Sequence, residues 1–227
     1  MELSAYIDHT LLTATATSDE IKRLCEEAVE YGFATVCVSP RWVGMAADIL
    51  HSTKVNVGSV VGFSLGAEST TIKAAQAREL IFAGADEVDM VADIAAIIEG
   101  DRGYFANELN SVLKVCRSMR PSVILKVIIE SAVLTHDQKI LACEVCEKSG
   151  VDFVKTSTGL HPAGGASAED VKLMAQTAPS CKIKAAGGIR TLEQAMEMID
   201  AGASRIGTSG SVEIMEELKN SNAGDVQ

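Results

Sequence analysis

Residues 141–159 read LACEVCEKSGVDFVKTSTG, and their periodicity changes halfway. The first ten suit a helix closed by Gly150. After one small residue comes a short apolar strand, DFVK, which ends in a glycine loop. Helix, glycine, small residue, strand is the αβ turn of a layered α/β fold. The patterns ending at Gly84 and Gly202 repeat it, with GAD and GAS leading into the next strand. Working outward, eight apolar runs appear: AYIDH near residue 7, ATVCVS near 36, VNVGSVVGF near 58, DEVDMVA near 89, VILKVIIE near 126, DFVK near 154, KIKAAGG near 184 and SRIGTS near 206. They are rich in Val and Ile, as strands buried on both faces should be. The intervals read as helices. Thr17 to Glu20 forms a capping box, Ile21, Leu24, Cys25, Ala28 and Val29 make an apolar stripe, and Gly32 closes the helix. The fold expected is α/β, a single (β/α)8 TIM barrel over residues 1–227, with a mobile polar tail over 220–227. An open doubly wound sheet would usually carry fewer strands and a GxGxxG after the first. Here the first strand runs into HTLLTATAT, which has no glycine.

Composition narrows the partners. A net charge of −11 argues against nucleic acid and acidic membranes, and an anionic substrate would need a locally positive pocket. The six cysteines are scattered, in a chain large enough to bury its core without disulfides. Cys143 and Cys146 lie at i and i+3 of a helix and read as packed side chains rather than a redox pair. The start, MELSAYIDHTLL, lacks the basic and apolar regions of a signal peptide, and no apolar run approaches the roughly 18 residues of a membrane span. The setting expected is cytoplasmic. His9, His51, His136 and His161 show no metal-ligand spacing, so neither metal nor other cofactor is expected. There is no GxSxG, and the lone Trp42 offers no platform for stacking bases.

Barrel active sites lie at the C-terminal ends of the strands. That directs attention to Asp8, Cys37, Asp89, Lys126, Lys155 and Lys184, which end the apolar runs. A lysine facing into a barrel is costly, because burial disfavours the ammonium. Lys155 therefore either points outward, pairs with an acid or serves as a nucleophile. Lys182 and Lys184 alternate around Ile183 and share one side of their strand, and Lys184, nearer the end, is the pocket candidate. Two ammonium groups in one pocket would depress a lysine pKa and free an amine for imine formation. Asp89 reads as an ion-pair partner, a proton handler beside the imine, or both. The glycine loops TSTG, AGGIR and IGTSG follow the last three strands. They suit phosphate binding through backbone N–H groups, or else are tight turns without a ligand.

At these residues the chain resembles deoxyribose-phosphate aldolases of the shorter bacterial and archaeal type. The segments YIDHTLL, VCVSPRWV, VVGFSLGA, DEVDMVADI, LKVIIE, DFVKTSTG, KAAGGIRT and GASRIGTS carry the resemblance, which covers nearly the whole chain. It implies Schiff-base cleavage of 2-deoxy-D-ribose 5-phosphate to acetaldehyde and D-glyceraldehyde 3-phosphate. It also implies small-molecule partners. Apart from the resemblance, a homodimer is the general expectation for such a barrel. Lys155 matches the family's Schiff-base lysine, Lys184 the lysine that lowers its pKa, and Asp89 the proton-shuttling aspartate. Asp8, Thr10, Cys37, Lys126 and Thr158 match pocket residues. Gly159, Gly187, Gly188, Arg190, Gly207 and Ser209 match the phosphate loops. The chain departs from the family pattern at Thr13, Ser39, Ser64, Asp93 and Gly210-Ser211, and its tail lacks the terminal tyrosine of some members. The rival expectations are a Schiff-base aldolase of another sugar phosphate and a barrel that binds a phosphorylated metabolite without catalysis.

Overall fold

The computed structural model describes residues 2–118 and 121–224. All eight apolar runs are strands: β1 (Ile7–Leu11), β2 (Thr35–Val38), β3 (Asn56–Val61), β4 (Glu87–Val91), β5 (Ile124–Ile128), β6 (Phe153–Lys155), β7 (Lys182–Ala186) and β8 (Arg205–Thr208). They pair in parallel, each with its neighbours in sequence, and β8 closes on β1. Around this barrel stand α1 (Ser18–Tyr31), α2 (Val43–Leu50), α3 (Thr70–Phe82), α4 (Ile94–Ile98), α5 (Arg102–Arg117), α6 (His136–Ser149), α7 (Ala168–Thr177), α8 (Leu192–Asp200) and α9 (Ser211–Gly224). The fold is a TIM barrel.

Local chemistry explains the boundaries. Thr17 and Glu20 form the capping box of α1, and Gly32 ends that helix at φ +71°. Thr135 with Gln138 opens α6, and Thr191 with Gln194 opens α8, in the same manner. Of the α1 stripe, Ile21, Leu24, Cys25 and Ala28 are buried, whereas Val29 is 47% exposed. Eight residues beyond Ile21, Val29 has turned roughly 80° away from the centre of the buried face. α9 continues to Gly224, so residues 220–224 are helical, and the Ser221 hydroxyl donates to the Glu217 carbonyl at 2.9 Å. Residues 225–227 lie outside the described residues.

Alternation along each strand separates two cores. Val88 and Met90 of β4, Leu125 and Val127 of β5, and Val154 of β6 are buried in the apolar cluster. The intervening positions, Glu87, Asp89, Lys126 and Lys155, turn to the barrel axis and meet one another. Cys143 and Cys146 are free, buried thiols, as the packed reading expects, and Cys181 is a third. Burial pushes Cys143 and Cys181 up to about 12, so neither is a ready nucleophile. Among the described residues no helix is long and apolar enough to cross a membrane.

Candidate active site

Asp89 sits in the middle of β4 and gathers three lysines from three other strands. Its Oδ2 accepts from Lys155 Nζ and from Lys184 Nζ, each at 2.7 Å, and its Oδ1 accepts from Lys126 Nζ at 2.8 Å. Register brings this about: Asp89 lies opposite Lys126, and Lys155 opposite Lys184. Asp8 on β1 pairs with Lys184 and lies 3.5 Å from Lys126 Nζ. The polar cluster is thus deeper than the sequence suggests. Only Lys155 ends its strand, whereas Asp8, Asp89, Lys126 and Lys184 sit within theirs, one pleat below the rim. Met90, Val127 and Ala185, which follow Asp89, Lys126 and Lys184, are buried hydrophobics, so those runs continue past the polar positions. Lys182 shares the face of Lys184 but opens the strand, where it is exposed and rests over the Phe153 ring at 5.7 Å.

Burial is the largest influence on every charge here. It pushes the Lys155 amine down, and the Lys184 ammonium pushes it further. Asp89 opposes both, and the net shift is below the usual lysine value. Burial disfavours the Lys184 ammonium too, but Asp8 and Asp89 outweigh it and raise the amine above its ordinary value. Lys126 is raised as well, because Asp89, Asp8 and Glu87 together overcome burial. Against the cost of burial, the lysines hold Asp89 well below the usual carboxylate range. Of the three amines, Lys155 alone is pushed toward the neutral form.

The remaining candidates line the rim above this cluster. Thr10 Oγ1 donates to the Asp8 carbonyl at 2.8 Å. Cys37 is buried, and burial raises its thiol. Thr158 is held by Glu130, which accepts from the Thr158 hydroxyl at 2.6 Å and from its amide. Gly159, Gly187 and Gly188 adopt φ values of +81°, +90° and +82°. A Cβ on Gly187 would lie 3.0 Å from the Gly165 Cα and 3.1 Å from the Gly159 Cα, so the loops after β6 and β7 meet backbone to backbone. Ser209 and Gly210 precede the first turn of α9, and the exposed Arg190 follows Gly188 on the neighbouring loop. The structure therefore brings Gly159, Gly187, Gly188, Arg190 and Ser209 to one rim beside a helix N-terminus. Gly207 lies lower, inside β8, where a Cβ would come within 3.0 Å of the Lys184 Cε. Its missing side chain makes room for that lysine.

Comparison with known proteins agrees with this geometry. Residues 3–212 match the family model described as DeoC/LacD family aldolase. The chain belongs to the DeoC/LacD aldolase family. Over 223 residues this aldolase is 49% identical to the deoxyribose-phosphate aldolase of Thermococcus gammatolerans, covering 97% of this chain and 98% of the relative. It is 51% identical over 219 residues to that of Aciduliprofundum boonei, covering 96% and 97%. Among solved structures, it superposes on a tetrameric deoxyribose phosphate aldolase from Aeropyrum pernix with a TM-score of 0.89 and 30% identity, covering 96% of this chain and 91% of the other. An aldolase designated QR15 gives a TM-score of 0.90 at 37% identity, with 97% of each chain covered.

Three charged residues of the aldolase's site escape a reading of strand ends. Arg205 Nη1 donates to Asp8 Oδ1 at 2.5 Å and to Thr35 Oγ1 at 2.8 Å, and lies 3.2 Å from Glu87 Oε2. Glu87 also pairs with Lys126. Glu130, at φ +50°, is the positive-φ non-glycine among the described residues. Glu87 was within reach of the sequence, since it stands two positions before Asp89 and so shares its face. Arg205 gave no such signal, because its partners lie 118 and 197 residues away.

Proposed function

We propose that this chain is a class I aldolase that reversibly cleaves 2-deoxy-D-ribose 5-phosphate to acetaldehyde and D-glyceraldehyde 3-phosphate, with Lys155 as the Schiff-base residue. One observation carries the assignment. Among three lysines on one carboxylate, Lys155 is pushed toward the free amine while Lys126 and Lys184 are held as ammonium ions. The relatives named deoxyribose-phosphate aldolase supply the substrate.

The Lys155 amine adds to the C1 aldehyde of the open-chain sugar. The carbinolamine takes up a proton and loses water, leaving an iminium. A pocket water accepts the C3 hydroxyl proton, and the C2–C3 bonding electrons pass into the iminium to give an enamine. Glyceraldehyde phosphate departs. A proton returns to C2, and water hydrolyses the renewed iminium to acetaldehyde and free Lys155. Asp89, held well below the usual carboxylate range by the lysines around it, is a weak proton acceptor. We assign it the electrostatic work of orienting Lys155 and Lys184 and of facing the iminium nitrogen. Protons then move through water and Lys184. Gly159, Gly187, Gly188, Arg190 and Ser209 hold the phosphate, fixing C1 over Lys155 through binding remote from the reacting bond. Gly207 supports this arrangement by admitting the Lys184 stem. Thr10, Cys37 and Thr158 line the path between the two ends. A single domain over residues 1–227, working in the cytoplasm as a homodimer, completes the reading. Two-fold closure is the commonest symmetry of soluble homo-oligomers.

Acetaldehyde with borohydride tests the assignment. The expected product is a reduced adduct on Lys155, located by peptide mapping. A label on Lys184 or Lys126, with none on Lys155, would refute it.

A further inference from the structure

The polar centre of the barrel does not balance its charges. Lys126, Lys155, Lys184 and Arg205 bring four cationic side chains, and Asp8, Glu87 and Asp89 bring three carboxylates. All three acids are fully buried, and the lysines are at most 3% exposed. In such surroundings a surplus charge is costly and one group tends to give it up. The contacts show which group that is. Lys126 touches Glu87, Asp89 and Asp8; Lys184 touches Asp8 and Asp89; Arg205 touches Asp8 and Glu87. Lys155 touches Asp89 alone and shares the oxygen it contacts with Lys184. It is the least compensated cation, and an arginine does not surrender its proton in its place.

We infer that Arg205 is a positioning residue whose charge, held in place by Glu87 and Asp8, supplies the cationic surplus that leaves Lys155 as the free amine. This rests on the reading of Lys155 given above. Arg205 lies opposite Lys184 in the β7–β8 register, and Lys184 lies opposite Lys155, so the three form one row across adjacent strands. The guanidinium packs over the Phe153 ring at 5.5 Å, two residues before Lys155 on the same strand. It occupies the lower part of the barrel and acts through the field of the cluster. The same surplus serves the next step. Iminium formation restores the fourth positive charge, and flow of the C2–C3 electrons into it discharges the cluster again. The groups that act on Lys155 directly are Asp89 from β4, Lys184 from β7 and Cys37 from β2; Glu87 from β4, Lys126 from β5, Arg205 from β8 and Asp8 from β1 complete the cluster through their contacts with one another and with Asp89 and Lys184. Glu130 stands beyond β6, at Thr158.

The experiment measures borohydride trapping of Lys155 by acetaldehyde, and kcat/KM, across pH in the full-length protein. Arg205→Met removes the charge and keeps much of the length. Its acidic limb should move to higher pH, with on the order of tenfold less trapping at neutral pH and recovery in alkaline buffer. Arg205→Lys keeps the charge and should leave the limb in place. The double variant Arg205→Met/Glu87→Gln removes one charge of each sign, restores the surplus of one, and should return the limb toward its original position. If Arg205→Met fails to fold, Glu87→Gln reads the same balance with the opposite sign, and its limb should move to lower pH. An unmoved limb in Arg205→Met, equal behaviour of the Met and Lys variants, a double variant no closer to wild type than the single, or a limb in Glu87→Gln that stays or rises overturns the inference. Failure of the wild-type protein to label Lys155 would instead remove the reading on which it rests, before any variant is compared.

Discussion

At Lys155 burial and the Lys184 ammonium push one way and Asp89 pushes the other. Burial is the larger of the first two, which changes what Lys184 can be expected to do. Lys184→Leu removes the like charge, and it also frees Asp89 Oδ2 to serve Lys155 alone, since the two amines now share that oxygen at 2.7 Å each. Both effects favour the Lys155 ammonium. With Lys155 as the proposed Schiff-base residue, reaction needs its neutral amine, so activity should climb as pH rises through the Lys155 pKa, and raising that pKa should move the climb to higher pH. The variant should lose on the order of tenfold or more in kcat/KM at neutral pH and regain part of it in alkaline buffer. Trapping of Lys155 should follow the same curve. An acidic limb that coincides with wild type would show that Lys184 acts on the substrate instead. Sequence reached the members of this cluster unevenly. Asp8, Asp89, Lys126, Lys155 and Lys184 interrupt apolar runs and so announce themselves. Glu87 and Arg205 stand at strand starts, where a charge passes for the end of a loop, and only barrel closure brings them beneath the others.

At the scale of elements, strand β4 must leave the barrel at a fixed angle for Asp89 to face three lysines. A buried pair holds that exit. Lys73 on α3 donates to Glu108 on α5 at 2.5 Å and to the Val91 carbonyl at 2.9 Å, and Glu108 accepts from the Asp93 amide at 3.0 Å. Both side chains are fully buried. Glu108→Gln leaves the Lys73 ammonium in the interior with only a carbonyl and an amide for company, so unfolding in urea should show a loss of about 3–5 kcal/mol. Lys73→Met should cost less. Burial already raises the Glu108 pKa, and once its cation is gone that carboxyl can take a proton rather than remain an unpaired charge. Equal losses in the two variants would contradict this asymmetry. Nothing in the sequence marks the pair, because α3 carries Lys73 in an ordinary mixed helix and Glu108 lies 35 residues away. The strands themselves were legible to within a few residues. Each strand keeps an apolar face toward the helix layer, and the turns into β2, β4, β6 and β8 carry a glycine, at Gly32, Gly84, Gly150 and Gly202. Asp93, one of the departures from the family pattern, proves to cap α4 by accepting from the Ala96 amide at 3.1 Å.

Taken as a whole, an acidic molecule of net charge −11 must bind a dianionic sugar phosphate, so the attraction has to be local. The barrel keeps its buried lysines neutralised by carboxylates, which leaves little positive field for a phosphate at the rim. In the proposed reading, recognition there falls to backbone N–H groups of the loops after β6, β7 and β8, to the first turn of α9 and to Arg190. Such donors work only if the loops hold their shape, and at Gly187 that shape tolerates little change. Its φ is +90°, and an added Cβ would press on the Cα atoms of both Gly165 and Gly159. The Gly187 carbonyl also accepts from the Ala166 amide at 3.1 Å, which ties the β7 loop to the approach of α7. Gly187→Ala should displace these loops together while leaving the lysine cluster below them in place. Strain of this kind costs about 1–3 kcal/mol, or roughly 5- to 150-fold in binding. The expected result is therefore selective. With deoxyribose 5-phosphate, KM rises by about that factor and kcat/KM falls with it. Free deoxyribose, expected to be a much poorer substrate for the wild-type protein, should change by less than about twofold, since it has no phosphate for the loops to hold. Trapping of Lys155 by acetaldehyde, which also carries no phosphate, should be unchanged. Parallel losses with both sugars would mean that Gly187 supports the amine rather than the phosphate. Equal kcat/KM for the two sugars in the wild-type protein would reduce the glycine loops to turns.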